Sequence, residues 1–370
     1  MIKWVENMKK VKTSALEMIK IFFLLFLIYQ TFTSLTLIKN SVFNGTLRCL
    51  EIIIPSLYFM MTISGIIINS GIPDLIAPIF NKFSNIIFRM NGVVFTVFIF
   101  GMFAGYPIGA KMLYELYENK KISKFQAEIY LCVCYGAGPA FIFGCISGNL
   151  WGSKSGNIII LSNILSNITA AIILRLIYGK KIRFSYTSEY SKNKILFNTQ
   201  ILCKSSYDAG KNLFILCTMI LSFSAMSGII TQLPIYKEIL TLLSNDNYCL
   251  TDQVIHCIFD VSAVAELNIY SISMLPIVSG LISFGGICVI MQIKSITHSK
   301  FKLKRFIFCR IFTAFLSCVI CFILIRLSID EQTVNTFNTV SSEPDFYSPV
   351  PSLMLVFMIF ILSKKLENKL

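Results

Sequence analysis

Residues 101–111 read Gly101-Met-Phe-Ala-Gly-Tyr-Pro-Ile-Gly-Ala-Lys111 and close a strongly apolar run, Val93 to Phe103. A helix that only had to span a bilayer would not carry Gly105, Pro107 and Gly109 so close together. Proline removes a backbone donor and clashes with the preceding turn. Glycine relaxes the helix and lets another backbone or a ligand come near. Similar interruptions stand at Gly136-Ala-Gly138-Pro139, with Gly144 behind it, and at Gly280-Leu-Ile-Ser-Phe-Gly285-Gly286. Each break is either a packing kink or part of a site.

The surrounding chain is apolar almost throughout. Of its 370 residues, 55% are hydrophobic and 14% charged, and its mean hydropathy is +0.72. A soluble domain carries about 25% charged residues. These values predict an all-α polytopic integral membrane protein of about eight transmembrane helices, with interrupted or re-entrant segments. The formal net charge is +14. The lysines lie in loops between apolar runs, where they set topology and meet anionic lipid headgroups, so nucleic acid is not an expected partner. The twelve cysteines fall mostly inside apolar segments, where a thiol behaves as a small hydrophobe. Cys318 and Cys321 have redox-motif spacing but sit mid-span, with no adjacent histidine or basic group. No metal site and no cofactor are expected. With two histidines and no P-loop, nucleophile elbow or HExxH, the chain does not read as an enzyme.

The chain divides into a basic segment with a first span (1–40), a first membrane half (41–178), a basic loop (179–211), a second membrane half (212–327), and an acidic loop with a last span and basic tail (328–370). Lys3, Lys9, Lys10 and Lys12 precede a first, uncleaved span at Leu16–Leu37. Basic segments belong inside. On that rule both termini, Lys111–Lys124, Gly179–Lys211 and His298–Arg305 are cytoplasmic, while Thr231–Asp252 and Ser328–Ser348 are external. This arrangement needs Ile52–Gly71 and Val254–Leu267 not to cross fully. In the alternative, Ile52–Gly71 crosses and the Gly136–Pro139 segment is re-entrant. The halves look weakly alike: Ser56–Thr62 compares with Asn212–Thr218, and Gly101-Met-Phe-Ala with Gly280-Leu-Ile-Ser. Interrupted helices in matching positions of two halves point to a transport site near the midplane. Asn163 and Asn167, one turn apart, are expected to hydrogen-bond between helices.

Backbone left unpaired at membrane depth must be buried in protein or line a wet cavity. A helix that restarts after a break presents free N–H groups and the positive end of its dipole, which suits a carboxylate or phosphate. The candidate substrate-binding residues are Gly105, Tyr106, Pro107, Gly109 and Lys111 at the first break, Gly138 and Pro139 at the second, and Gly285, Gly286 and Gln292 at the third. Tyr106 offers a ring for stacking, and Gln292 an amide for a carboxylate. Asp260 lies in an apolar segment with His256 four residues earlier. As an intramembrane acid it is a candidate for coupling, either as a proton-linked pair with His256 or by touching a coupling ion. The expected partners are a small-molecule anion and membrane lipids, with room for a homo-oligomer.

Gly105-Tyr-Pro-Ile-Gly-Ala-Lys111, Ala137-Gly-Pro-Ala-Phe-Ile-Phe-Gly144, Phe284-Gly-Gly-Ile-Cys-Val-Ile-Met-Gln292 and Ile54-Pro-Ser-Leu57 stand in order over about Ser41 to Leu327. Together they resemble the sporulation integral membrane protein YlbJ (SpoVV) family, within the wider nucleoside transporter/FeoB gate group. The resemblance implies a membrane protein of endospore formers that moves dipicolinic acid, a small aromatic dicarboxylate, from the mother cell toward the forespore. Two places depart from the family pattern. Cys134-Tyr135-Gly136 stand where asparagines often precede the Gly-Pro, and Phe259-Asp260 where Leu-Glu is usual. A nucleoside-type permease and a non-transporting scaffold for spore assembly are the rival readings.

Overall fold

Apolar runs at membrane depth become helices because hydrocarbon offers no partner for an open N–H or C=O. The computed structural model describes residues 2–72, 77–81, 84–85, 89, 92–143, 152–179, 197–243, 248–267 and 272–328, and among these the elements are helical, with no strand. Residues 329–348, the Val350–Leu362 run, the basic tail, Gly144 and residues 180–196 lie outside the described residues, and from Thr199 onward the expected Gly179–Lys211 loop is already the start of a helix. Among the described residues, five helical stretches are long and apolar enough to cross a membrane: Leu35–Ile67, Lys154–Tyr178, Thr199–Ile230, Ile272–Ile296 and Lys304–Leu327. Large side chains such as Phe22, Phe32, Phe214 and Phe315 stand exposed on the helices, as a hydrocarbon solvent allows. The chain is an all-α integral membrane protein.

The first membrane half starts with α1 (Ile2–Thr33) and α2 (Leu35–Leu47), separated at Ser34. α2 continues without a turn through a π-helical segment, Arg48–Ile53, into α3 (Ile54–Asn69). Ile52–Gly71 is therefore the second part of one long apolar helix and not a short non-crossing segment. Leu35–Ile67 is long and apolar enough to cross, the length that the second of the two topologies requires of this stretch. After it come α4 (Gly92–Ala104) and α5 (Ile108–Glu118), then α6 (Lys124–Tyr130), a one-turn α7 (Pro139–Phe141) and α8 (Gly152–Tyr178). The second half holds α9 (Thr199–Ile230), α10 (Pro234–Leu243) and α11 (Tyr248–Phe259). A 3-10 turn at Val261–Glu266, then α12 (Leu275–Phe284), α13 (Gly286–Ile296) and α14 (Lys304–Ser328) complete it.

The long helices of the two halves lie antiparallel along their whole length. The Ser34 hydroxyl donates to Gln232 at 2.8 Å, Tyr58 meets Ser206 at 2.8 Å, and the Asn69 amide donates to Ser205 at 3.1 Å. These contacts define a Ser34 end and an Asn69 end of the bundle. At the Asn69 end, Lys300 pairs with Glu118 at 2.7 Å, Arg305 with Glu128 at 3.2 Å, and Arg89 donates to the Gly179 carbonyl at 2.5 Å. At the Ser34 end, Tyr236 donates to Asp252 at 2.5 Å.

α8, α12 and α14 form the other packed group. A row of buried hydroxyls joins them: Ser162 to Ser279 at 2.7 Å and Ser279 to Ser317 at 2.8 Å. Asn163 donates to Ser279 at 3.3 Å and Asn167 accepts from Arg310 at 2.9 Å. The asparagine pair thus bridges helices, as its spacing predicted.

Among the described elements the halves run in a similar order, a long helix, a hairpin, an interrupted helix and a single span, with α10 following the long helix in the second. α4 and α5 fold back on each other as a hairpin from the Asn69 end, since a Cβ on Gly109 would stand 3.4 Å from the Gly101 Cα. α11 and the 3-10 turn form the counterpart at the Ser34 end, so Val254–Leu267 is indeed too short to cross. By this order the break at Gly105–Pro107 corresponds to Asp260, and Gly138-Pro139 to Gly285-Gly286. The likeness of Gly101-Met-Phe-Ala to Gly280-Leu-Ile-Ser matches a hairpin with an interrupted helix, which are not equivalent elements. Ser56–Thr62 and Asn212–Thr218 do fall on equivalent long helices.

Candidate functional site

The first two breaks close on each other. α4 ends at Ala104, Gly105 takes a left-handed φ of +81°, and the Ile108 amide donates back to its carbonyl at 3.1 Å. A Cβ at Gly105 would stand 2.7 Å from the Gly138 amide nitrogen, and one at Gly109 would overlap the Cys134 carbonyl oxygen. The tip of the α4–α5 hairpin is therefore seated, backbone on backbone, against the extended turn between α6 and α7. Tyr106 stacks on Tyr135 of that turn with ring centroids 5.0 Å apart and 21° between planes. One face of the Tyr106 ring, expected to be open to a substrate, is taken by Tyr135.

The third break joins from the other half. Gly285 (φ +81°) ends α12 and Gly286 (φ +76°) begins α13. A Cβ at Gly285 would overlap the Tyr135 hydroxyl, which donates to the Phe284 carbonyl at 3.4 Å. On the opposite side a Cβ at Gly286 would stand 3.0 Å from the Val261 amide nitrogen. Gly285-Gly286 is wedged between the second break and the end of α11, so all the interruptions meet in one place.

There α11 stops and Asp260 turns extended (φ −137°, ψ 108°), capping the 3-10 turn. Its Oδ1 accepts from the Ser262 amide at 3.0 Å and its Oδ2 from the Ser262 hydroxyl at 2.6 Å. Arg48 Nη1 stands 3.4 Å from the same Oδ2, with side-chain exposures of 10% for Arg48 and 9% for Asp260. Arg48 also donates to Ser262 at 3.2 Å and to Ser224 at 3.1 Å. It begins the π-helical segment, about 21 Å along the helix from Ser34 and about 32 Å from Asn69, well inside the bundle. A buried ion pair at that depth is costly to create and costly to break.

A cavity opens over this pair. Gly105, Tyr106, Gly138, Asp260, Ser262 and Gln292 give its backbone and polar wall, and Ile53, Leu57, Phe141, Leu216, Ile220 and Val289 are among its apolar residues. About 30 Å³ is open to the centres of water molecules, room for roughly two waters. A larger solute enters only if the walls separate. Gln292 is 2% exposed. Its Nε2 reaches the Cys288 sulfur at 3.4 Å, and its Oε1 has no hydrogen-bond partner among the described residues. Which amide end carries the oxygen follows the partner it meets, so Gln292 offers the cavity one unused hydrogen-bonding atom.

Five of the twelve candidate residues line this cavity: Gly105, Tyr106, Gly138, Gln292 and Asp260. Pro107, Gly109, Pro139, Gly285 and Gly286 shape the backbone behind the wall. Lys111 does not reach it. Its ammonium lies 4.0 Å from Glu115 on the flank of α5, because the hairpin carries the chain back toward the Asn69 end. His256 does not pair with Asp260 either. Its ring meets Ser227 and lies 3.6 Å from Asp252. The i,i+4 relationship fails because α11 ends at Phe259, so Asp260 leaves the helical face.

Two arginines were not singled out in the sequence. Arg48 lies in a short amphipathic stretch, Ser41–Glu51, just before the Ile52–Gly71 run. Arg310, inside an apolar span, carried the general signal of an intramembrane charge. It is fully buried, donating to the carbonyls of Cys132 and, at 3.4 Å, Tyr135. Its guanidinium lies 4.8 Å from the centroid of the Tyr135 ring. It holds the second break in place.

Among curated proteins, the chain is similar to the sporulation integral membrane protein YlbJ of Bacillus subtilis (strain 168), 31% identical over 132 residues. The match covers 35% of this chain and 32% of that protein, about a third of its length. This chain is a membrane protein related to a sporulation integral membrane protein. No protein-family model matches it, and no solved structure does so significantly.

Proposed function

We propose that the protein is a transporter that carries a small carboxylate, dipicolinic acid by the family resemblance, across a membrane during endospore formation. The convergence of the breaks from both halves on one cavity, with Asp260 in its floor and Arg48 paired to Asp260 from behind, carries this reading. Irregular backbone gathered around a wet space at mid-depth is how inverted-repeat carriers place a solute site. Arg48, behind Asp260, supplies the cation that a carboxylate needs, and Tyr106 and Phe141 line the same cavity with aromatic surface. Membrane lipids are the other partners, with the Asn69 end and its lysines in the cytoplasm.

The nucleoside-type reading has one observation in its favour. Arg48 and Asp260 offset each other's charge, which suits a neutral solute bound through Gln292. Uptake into proteoliposomes by the purified chain separates the readings. Dipicolinate carried with nucleoside ignored is the expected result, and the converse would replace the carboxylate. A protein that carries neither, while spores without it fail to assemble, would be the scaffold.

A further inference from the structure

We propose that the Arg48–Asp260 pair is exchangeable: a substrate carboxylate takes Arg48 from Asp260, and Asp260 then takes up a proton, so that anion and proton cross together. This rests on the carboxylate-transport reading above.

The geometry favours exchange over a permanent bridge. A well-formed guanidinium–carboxylate pair is bidentate at about 2.8 Å, whereas Arg48 Nη1 stands 3.4 Å from Asp260 Oδ2. Asp260 is instead gripped by Ser262, at 2.6 and 3.0 Å. Arg48 stands behind Asp260 and Ser262, which line the cavity, so a solute reaches the guanidinium only when Asp260 yields. The groups facing Asp260 are few. The π-helical segment brings Arg48 and Cys49, α13 brings Cys288 and Gln292, and α9 brings Ser224 onto Arg48. On its own element His256 is turned to Ser227 and Asp252. Among the described residues that face it, the cation that neutralises Asp260 is Arg48.

The charges balance. At rest the floor holds one guanidinium and one carboxylate. With the monoanion of the substrate bound, its second carboxyl protonated, the guanidinium donates to the substrate carboxylate, and one further proton from water has gone to an Asp260 oxygen. The floor stays neutral, as burial demands. Taking a cation away from a buried carboxylate favours its neutral form. The anion therefore promotes proton uptake and the proton promotes anion binding, a reciprocal coupling. The protonated Asp260 needs an acceptor, and the buried Gln292 Oε1 on the same cavity has no hydrogen-bond partner among the described residues. A metal cation in place of the proton would sit against the guanidinium and be repelled.

The full chain in proteoliposomes tests this with labelled dipicolinate and an external pH dye, the membrane potential clamped at zero. Adding dipicolinate should alkalinise the medium as it enters. Monoanionic dipicolinate should accumulate about tenfold per unit of inward proton gradient. D260N should lose gradient-driven accumulation, and D260E should restore it. Wild-type uptake indifferent to the gradient, with no alkalinisation, would overturn the coupling and leave carboxylate transport standing. D260N accumulating like wild type would do the same. Neither uptake nor exchange by wild type would remove both. If D260N does not insert, the wild-type proton signal still decides.

Discussion

Gly285 lies against the hydroxyl of Tyr135, with no room for a Cβ between them. This contact locks the break in one half of the molecule to the break in the other. Gly71 is the natural control, because it has the same backbone sign (φ +82°) and nothing within 4 Å of an added Cβ. Gly71→Ala should cost only the left-handed backbone strain, about 1–2 kcal/mol. Gly285→Ala adds an overlap, which should cost about 1–3 kcal/mol more. Tyr135→Phe should return part of that excess, since it removes the overlapping hydroxyl. Thermal unfolding in detergent of the wild type, the two single variants and the Gly285→Ala/Tyr135→Phe double variant, read as a double-mutant cycle beside the Gly71→Ala control, would show whether this contact sets the cost.

Arg310 is the second device that fixes the breaks. Its guanidinium bonds two carbonyls of the α6–α7 turn and the side chain of Asn167. Arg310→Met leaves those acceptors buried without a donor and should cost about 3–5 kcal/mol. Arg310→Lys should rescue little, because an ammonium on a flexible stem does not reproduce the fork. Asn167→Leu removes one acceptor and should cost about 1–3 kcal/mol. Denaturant titration in mild detergent gives the order. Equal costs for Arg310→Lys and the wild type would mean that the fork geometry is not what holds the turn.

At the Asn69 end, Lys300 and Glu118 tie the α13–α14 loop to the α4–α5 hairpin. Lys300 holds the Glu118 carboxyl below its ordinary value, and Glu118 holds the Lys300 ammonium above its own. The signs bracket a window. The Glu118 contribution is present above its unfolded value, near 4.5, and fades as pH falls through the lowered folded one. The Lys300 contribution is present below about 10.5 and fades only as pH rises past its raised value. The tie should therefore be constant from pH 5 to about pH 10, yet weaken with salt because the pair is solvent-exposed. Amide exchange over residues 297–303, corrected for its intrinsic pH dependence, should rise with 1 M salt or with Glu118→Gln. A change in exchange between pH 8 and about pH 10, above the range in which the neighbouring His298 imidazole ordinarily changes charge, would contradict the assignment.

The helices and their breaks were legible in the sequence because hydropathy, glycine and proline act locally. Gly105, Gly138 and Gly285-Gly286 announce themselves without reference to the rest of the chain. What the breaks face is non-local. Arg48 and Asp260 are 212 residues apart in sequence, and nothing in the short segment around Arg48 distinguishes a buried clamp from a headgroup contact. Lys111 looked closer to the site than it is because a hairpin and a continuous helix share one hydropathy profile. At 13 residues α4 is too short to cross, and that length was the available clue. His256–Asp260 failed for a related reason, since the i,i+4 rule assumes a helix that Asp260 itself ends.

The topology gives the last prediction. Cys203, near the start of α9, and Cys249, at the start of α11, are both exposed and lie at opposite ends of the bundle. Lys300 belongs to the Cys203 end, because it pairs with Glu118 on α5, whose Glu115 lies within electrostatic reach of Lys204 and Asp208. A membrane-impermeant maleimide applied to intact cells should label Cys249 and spare Cys203, and Lys300→Cys should behave as Cys203 does. Asn69→Cys, at the end of the long first-half helix, should follow Cys203 as well, since Asn69 bonds Ser205. Labelling of Cys249 and Lys300→Cys from one side would mean that α12 and α13 do not traverse the bundle between them. Labelling of Asn69→Cys with Cys249 would mean that the long helix of the first half does not cross. In that case the segment from Ile52 to Gly71 would return to the membrane side from which it started, and the hairpin of α4 and α5 would have to enter from the opposite face.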